Sequence, residues 1–106
     1  MMSKTIFQIE LHPQIESDYY DAYHWYELQQ IGLGERFLLK VREKLGTIIE
    51  DPEIFGVKGR KGYREAIVDG FPYLIVYKVY AKKKIVFVSS VGHSKMRPGK
   101  KYRIRY

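Results

Sequence analysis

A chain of 106 residues, 45% hydrophobic and 15% aromatic, has the size and composition of one domain around one core, which excludes a disordered chain. It has no cysteine, which removes disulfides and thiolate metal sites, and no apolar run approaches the ~18 residues that would cross a bilayer. The formal net charge of +7 is unevenly divided: residues 1–57 hold 5 basic and 10 acidic side chains, whereas residues 58–106 hold 14 basic and 2 acidic, with no acid after Asp69. Such a one-signed second half attracts a polyanion, whether nucleic acid, an acidic protein segment or anionic lipid.

The start, Met1-Met2-Ser3-Lys4, does not read as a signal peptide, so a cytoplasmic protein without membrane partners is expected. Thr5 to Leu11 alternates well enough for a first strand, with apolar Phe7, Ile9 and Leu11. His12-Pro13 stops it, and proline suits the first turn of a helix. The spacing predicts a helix from Gln14 to Ile31, its stripe formed by Ile15, Tyr19, Ala22 and Tyr26, with Glu16, Asp18 and Asp21 at the end where the helix dipole favours negative charge. Gly32-Leu33-Gly34 reads as a tight corner, and a second helix is predicted from Glu35 to Glu50 on Phe37, Val41, Leu45 and Ile48. Asp51-Pro52 ends it.

Glu53 to Gly62 reads as a loop in which Lys58, Arg60 and Lys61 interleave with Gly56, Gly59 and Gly62; the glycines do not match a phosphate-cradling loop. Three β-prone runs follow between Tyr63 and His93, broken at Asp69-Gly70 and at Lys82 to Lys84, which is the pattern of an antiparallel meander. Expected sheet-core residues are Ile67, Leu74, Val76 and Ile85, with Val86 or Phe87 and Val88 or Ser89. Ser94 to Tyr106 is a basic tail without a clear period. The whole chain, residues 1–106, is expected to be a single α+β domain: an N-terminal strand and an antiparallel helical hairpin packed on a mainly antiparallel four-stranded sheet, in the order β-α-α-β-β-β.

An ordered set of short motifs carries a resemblance: Trp25-Tyr26-Glu27, Gly32 to Phe37, Asp51-Pro52, Tyr63-Arg64, Phe71-Pro72-Tyr73, Val76-Tyr77 and Val88 to His93. Together, over about residues 6–105, they resemble the RelE/ParE superfamily of toxins from bacterial type II toxin–antitoxin, or plasmid stabilisation, systems. The resemblance implies a growth-inhibiting toxin neutralised by a cognate antitoxin that commonly wraps it with its C-terminal segment. ParE-like members act on DNA gyrase; RelE-like members cleave mRNA in the ribosomal A site. Phe71-Pro72-Tyr73 and the Trp-Tyr-Glu helix favour the ParE side. Leu74 stands where ribonuclease members carry an arginine before the core of the middle strand. In the tail His93 and Pro98 match a ParE-like ending, while Met96 stands where arginine is expected and Arg97 falls one place late. The resulting expectation is a ParE-like toxin, with a RelE-like mRNA endonuclease or a non-toxic binding module as alternatives.

Metal-independent RNA cleavage needs an acid, a base and cations for the phosphorane. The candidates for those roles, if the protein is a nuclease, are His93, Arg64 and Tyr102. Candidates for binding a target or an acidic antitoxin segment are Arg64, Lys95, Arg97, Lys100, Lys101, Arg103 and Arg105. Each has a structural alternative: His93 as a hydrogen-bonded strand end, Arg64 as an ion-pair partner, Tyr102 as packing. No metal or other cofactor is expected, since His12, His24 and His93 lack ligand spacing. Asp18 and Asp21 read as a solvated helix face. A homodimer, or a heterotetramer with antitoxin, is compatible with the resemblance.

Overall fold

The computed structural model describes residues 6–105. Its elements, in chain order, are β1 (Gln8–Leu11), α1 (Ile15–Gln29), α2 (Leu33–Glu50), β2 (Val57–Lys58), β3 (Tyr63–Ile67), β4 (Tyr73–Tyr80), β5 (Ile85–His93) and α3 (Pro98–Lys101). The sheet runs β1-β5-β4-β3-β2, antiparallel throughout except that β1 lies parallel to β5. The expected α+β architecture therefore holds, with one correction. The sheet has five strands, because Val57 and Lys58, inside the expected loop, pair with Arg64 and Tyr63. The basic tail carries a short helix, α3, before its last described residues. Thr5, the expected start of the first strand, lies outside the described residues.

Alternation explains the layers. On one face Ala66, Val68, Ile75, Tyr77, Val86, Val88 and Val91 meet Ile15 and Ala22 of α1 and Phe37, Val41 and Ile48 of α2 in one buried cluster. The opposite face offers Tyr63, Leu74 and Val76, which pack against Met96 and Tyr102 of the tail. Leu74 and Val76 are thus core residues, but of this second, smaller core. Ile67, expected in the core, is 63% exposed. It pairs with Leu74 at the end of β3, beyond the reach of the tail's covering rings.

The helical hairpin is set by Glu27. Its carboxylate accepts the backbone N–H groups of Gly32 (3.0 Å) and Gly34 (2.8 Å), capping the start of α2 and drawing its own pKa below the ordinary carboxylate value. Gly32 takes φ +91°, which glycine adopts without strain. At Gly34 the two helices come so close that a Cβ would stand 2.7 Å from the Tyr23 carbonyl oxygen. At the far end of α2, the Tyr77 hydroxyl donates to the buried Pro52 carbonyl at 2.8 Å, and burial pushes its pKa up to about 12.

Candidate functional site

The tail is bound to the sheet by a bulge. Val76 pairs with Ser90 and Tyr77 with Val88, which leaves Ser89 as an extra residue in β5. Two consecutive serines would normally face opposite ways. Here both hydroxyls donate to the Lys101 carbonyl at 2.9 Å, and the Ser89 oxygen accepts the Arg103 N–H at 2.6 Å. Gly92 leaves room for Met96, whose sulfur would stand 2.3 Å from a Cβ at that position. The Tyr63 hydroxyl donates to the Arg103 carbonyl at 2.8 Å.

Charge completes the attachment. Arg103 forms a two-pronged pair with Asp18 at 2.8 and 2.9 Å, and the same carboxylate accepts the Val91 N–H at 3.0 Å. Asp18 is therefore not the solvated helix residue that its spacing with Asp21 suggested. Arg105 pairs with Glu10, which lowers the glutamate's pKa and raises the arginine's. Lys101 reaches Glu65 at 2.9 Å, and the Tyr102 hydroxyl donates to the same carboxylate. Burial alone would push Glu65 up; the Tyr102 hydroxyl and the Lys101 ammonium outweigh it, and the carboxyl lies below its ordinary value. Burial and then Glu65 push Tyr102 upward, so the phenol keeps its proton at neutral pH.

The three nuclease candidates do not converge. Arg64 stands opposite Tyr77 on the helix side of the sheet, where its guanidinium donates to the carbonyls of Phe55 (2.6 Å) and Glu53 (3.3 Å) and holds the 51–56 loop. Tyr102 lies on the opposite face. His93 is exposed at the end of β5, its ring 5.7 Å from that of Tyr73 and its Nδ1 accepting the Lys95 N–H at 3.1 Å. It shares a cleft of about 180 Å³ with Asp18, Asp21, Lys100 and Arg103. Among the binding candidates Lys101, Arg103 and Arg105 are occupied by carboxylates; Lys95, Arg97 and Lys100 make no ion pair among the described residues.

A second basic group stands outside the residues nominated from the sequence. Lys58, Arg60 and Lys61 border a cleft of about 450 Å³ floored by Tyr63, Pro98 and Tyr102. The signal was their interleaving with Gly59 and Gly62, which adopt φ +71° and +84° and fix the turn between β2 and β3. A third depression, about 530 Å³, lies where the helical corner meets the β3–β4 turn, between Ile31, Arg36, Phe71 and Pro72. Ile31 on its rim is 93% exposed, and Trp25 and Leu28 of α1 are 56% and 82% exposed. The described residues contain no cluster of three groups able to hold a metal, and no helix long and apolar enough to cross a membrane.

A helical hairpin on one face of a mixed sheet, with a basic tail strapped to the other, is the fold expected from the resemblance to the RelE/ParE superfamily. The family model for the ParE toxin of type II toxin–antitoxin systems, parDE, matches residues 9–98, and the chain belongs to that family. No curated protein matches it. Among solved structures, the chromosomal ParDE toxin–antitoxin system from P. aeruginosa aligns at 11% identity and TM-score 0.71, covering 84% of this chain and 97% of that one. A doubly substituted E. coli toxin RelE in the free state aligns at 21% identity and TM-score 0.65, covering 85% of each chain. The intact E. coli RelBE toxin–antitoxin complex gives 20% identity and TM-score 0.62, covering 86% of this chain and 99% of that one. At these identities the likeness is one of fold.

Proposed function

We propose that this chain is the toxin of a type II pair, arrests growth by binding a protein target in the manner of ParE, with DNA gyrase as the first candidate, and is neutralised by a cognate antitoxin. The observation that carries this reading is the fate of the tail cations. Lys101, Arg103 and Arg105 hold the tail to Glu65, Asp18 and Glu10, while Arg64 props a loop. Two of the three nuclease candidates, Arg64 and Tyr102, are thus engaged as structure together with three of the binding candidates, and what remains outward is a surface. Free cations at Lys95, Arg97 and Lys100 suit an acidic partner segment. The exposed apolar side chains Trp25 and Leu28 of α1, and Ile31 in the groove that also holds Arg36, suit an amphipathic one.

One observation favours the second reading, ribosome-dependent mRNA cleavage: Glu65, Lys101 and Tyr102 form a compact hydrogen-bonded group beside the basic cleft. The experiment is induced expression together with a purified gyrase supercoiling assay. Growth arrest with supercoiling inhibited is expected. Growth arrest without inhibition, accompanied by cleavage of translated mRNA, would replace the first reading with the second. Normal growth with soluble protein would leave only a binding module.

A further inference from the structure

The cleft between the β2–β3 turn and α3 borders the Glu65, Lys101 and Tyr102 group, and we propose that it is a binding site for a nucleoside 5′-phosphate under either reading of the toxin. Its rim and its floor have different chemistry. On the rim, Lys58, Arg60 and Lys61 are exposed and none forms an ion pair among the described residues. They project from a turn whose shape is fixed by two left-handed glycines, so three positive charges are held in one place, with Glu65 near enough to act on Lys58 but paired with Lys101. The floor is mainly apolar. Tyr63 and Tyr102 stand with ring centroids 5.0 Å apart, and Pro98 closes the side.

Both rings are held before any ligand arrives. The Tyr63 hydroxyl is committed to the Arg103 carbonyl and the Tyr102 hydroxyl to Glu65. The conformational cost of presenting them is already met by folding. Glu65, the one carboxylate near the floor, is neutralised by Lys101 at 2.9 Å and does not repel an incoming anion. The volume of about 450 Å³ lies in the range of small-ligand pockets and is larger than a bare phosphate needs. An inorganic anion would use only the rim, and an apolar side chain only the floor. A phosphorylated nucleoside uses both: phosphate on the three cations, base or sugar against the Tyr102 and Pro98 surface.

That ligand could be a free mononucleotide or the 5′-phosphorylated end of a strand, and the test separates them. The full chain is titrated calorimetrically with AMP, adenosine, inorganic phosphate, and a short single strand with either a 5′-phosphate or a 5′-hydroxyl. AMP is expected to bind at least tenfold more tightly than adenosine or phosphate. The combined variant Lys58→Ala, Arg60→Ala, Lys61→Ala should lose at least tenfold for AMP while keeping its melting temperature, because all three side chains are exposed. Tyr102→Leu should weaken AMP but not phosphate, whereas Tyr102→Phe, which keeps the ring, should retain most of the affinity. A 5′-phosphorylated strand binding more tightly than AMP assigns the site to strand ends; the reverse assigns it to free nucleotide. The proposal is overturned if AMP binds no better than phosphate, if the triple variant binds AMP unchanged, or if AMP does not bind at millimolar concentration; two strands that bind equally while AMP binds exclude strand ends and leave the free nucleotide. These outcomes are independent of growth arrest and gyrase inhibition, so this site and the toxin reading fail separately.

Discussion

Arg103→Ala should detach the tail. Arg103 and Asp18 have side chains only 13% and 14% exposed and share two hydrogen bonds at 2.8 and 2.9 Å, so neither charge is well served by water once its partner is gone. Removing one member of a buried pair costs about 3–5 kcal/mol, mostly by stranding the other charge. Here the Val91 N–H still reaches Asp18, and residual exposure admits some water, so the low end of about 3 kcal/mol is expected. For a domain of this size that is a fall of roughly 12–15 °C in melting temperature. The lesion should also be local first, because Arg103 is the link between the tail and α1. Limited trypsin digestion should cut after Lys95 and Lys100 much faster than in the parent, before the sheet unfolds. A double-mutant cycle with Asp18→Ala isolates the pair. A stability loss below about 1 kcal/mol, or a coupling energy below about 0.5 kcal/mol, would refute the argument that this ion pair fastens the tail.

Gly34→Ala should destabilise by about 1–3 kcal/mol, because its Cβ would meet a backbone oxygen at 2.7 Å and the helices must separate to admit it; a denaturant midpoint unchanged from the parent would contradict this. Acid should unfold the protein by a defined route. Glu10, Glu27 and Glu65 have folded pKa values below the ordinary 4.5, so their contribution is present above that value and is lost as pH falls through the lowered values. His12, lowered chiefly by burial and then by Arg103, adds a loss that begins as pH falls below about 6.5. Melting temperatures between pH 7 and 3 check this, and Glu65→Gln should flatten the acid limb; an identical pH profile in that variant would remove Glu65 from the account.

Much of the fold was legible because the periodicities were strong and the punctuation explicit. The stripe of Phe37, Val41 and Ile48 gave α2, Asp51-Pro52 ended it, and Asp69-Gly70 divided the meander. The sheet has two buried faces, one under the helices and one under the tail, where alternation alone suggests one. Ile67 and Leu74 were assigned together to one core because nothing local says that the tail will cover Leu74 and stop short of Ile67. The bulge at Ser89 was illegible for the same reason, since its purpose is to turn two hydroxyls toward a carbonyl twelve residues away. β2 has only two residues, too short for alternation to register. The site was legible in composition only: the right half of the chain was seen as basic, but which cations stay outward depends on acids contributed by β1, α1 and β3.

That dependence also resolves the charge asymmetry. An acidic first half and a strongly basic second half look like a chain built to seek a polyanion. Part of the imbalance is consumed at home: Glu10 and Asp18, from the acidic half, bind Arg105 and Arg103, and Glu65, one of two acids in the basic half, binds Lys101. These pairs need no partner protein, and they place the tail's own cations under the surface they create. The charge left over is not spread evenly. It stands at the β2–β3 turn, at the Lys82 to Lys84 turn and at the Lys95 to Lys100 approach to α3, and of these the β2–β3 turn borders the tyrosine-floored cleft. A basic composition by itself would predict diffuse, salt-sensitive attraction to any anion. The internal pairing converts it into a local one, so binding through this face should lose affinity when Lys58, Arg60 and Lys61 are removed, and lose far less when the same number of lysines is removed from the Lys82 to Lys84 turn.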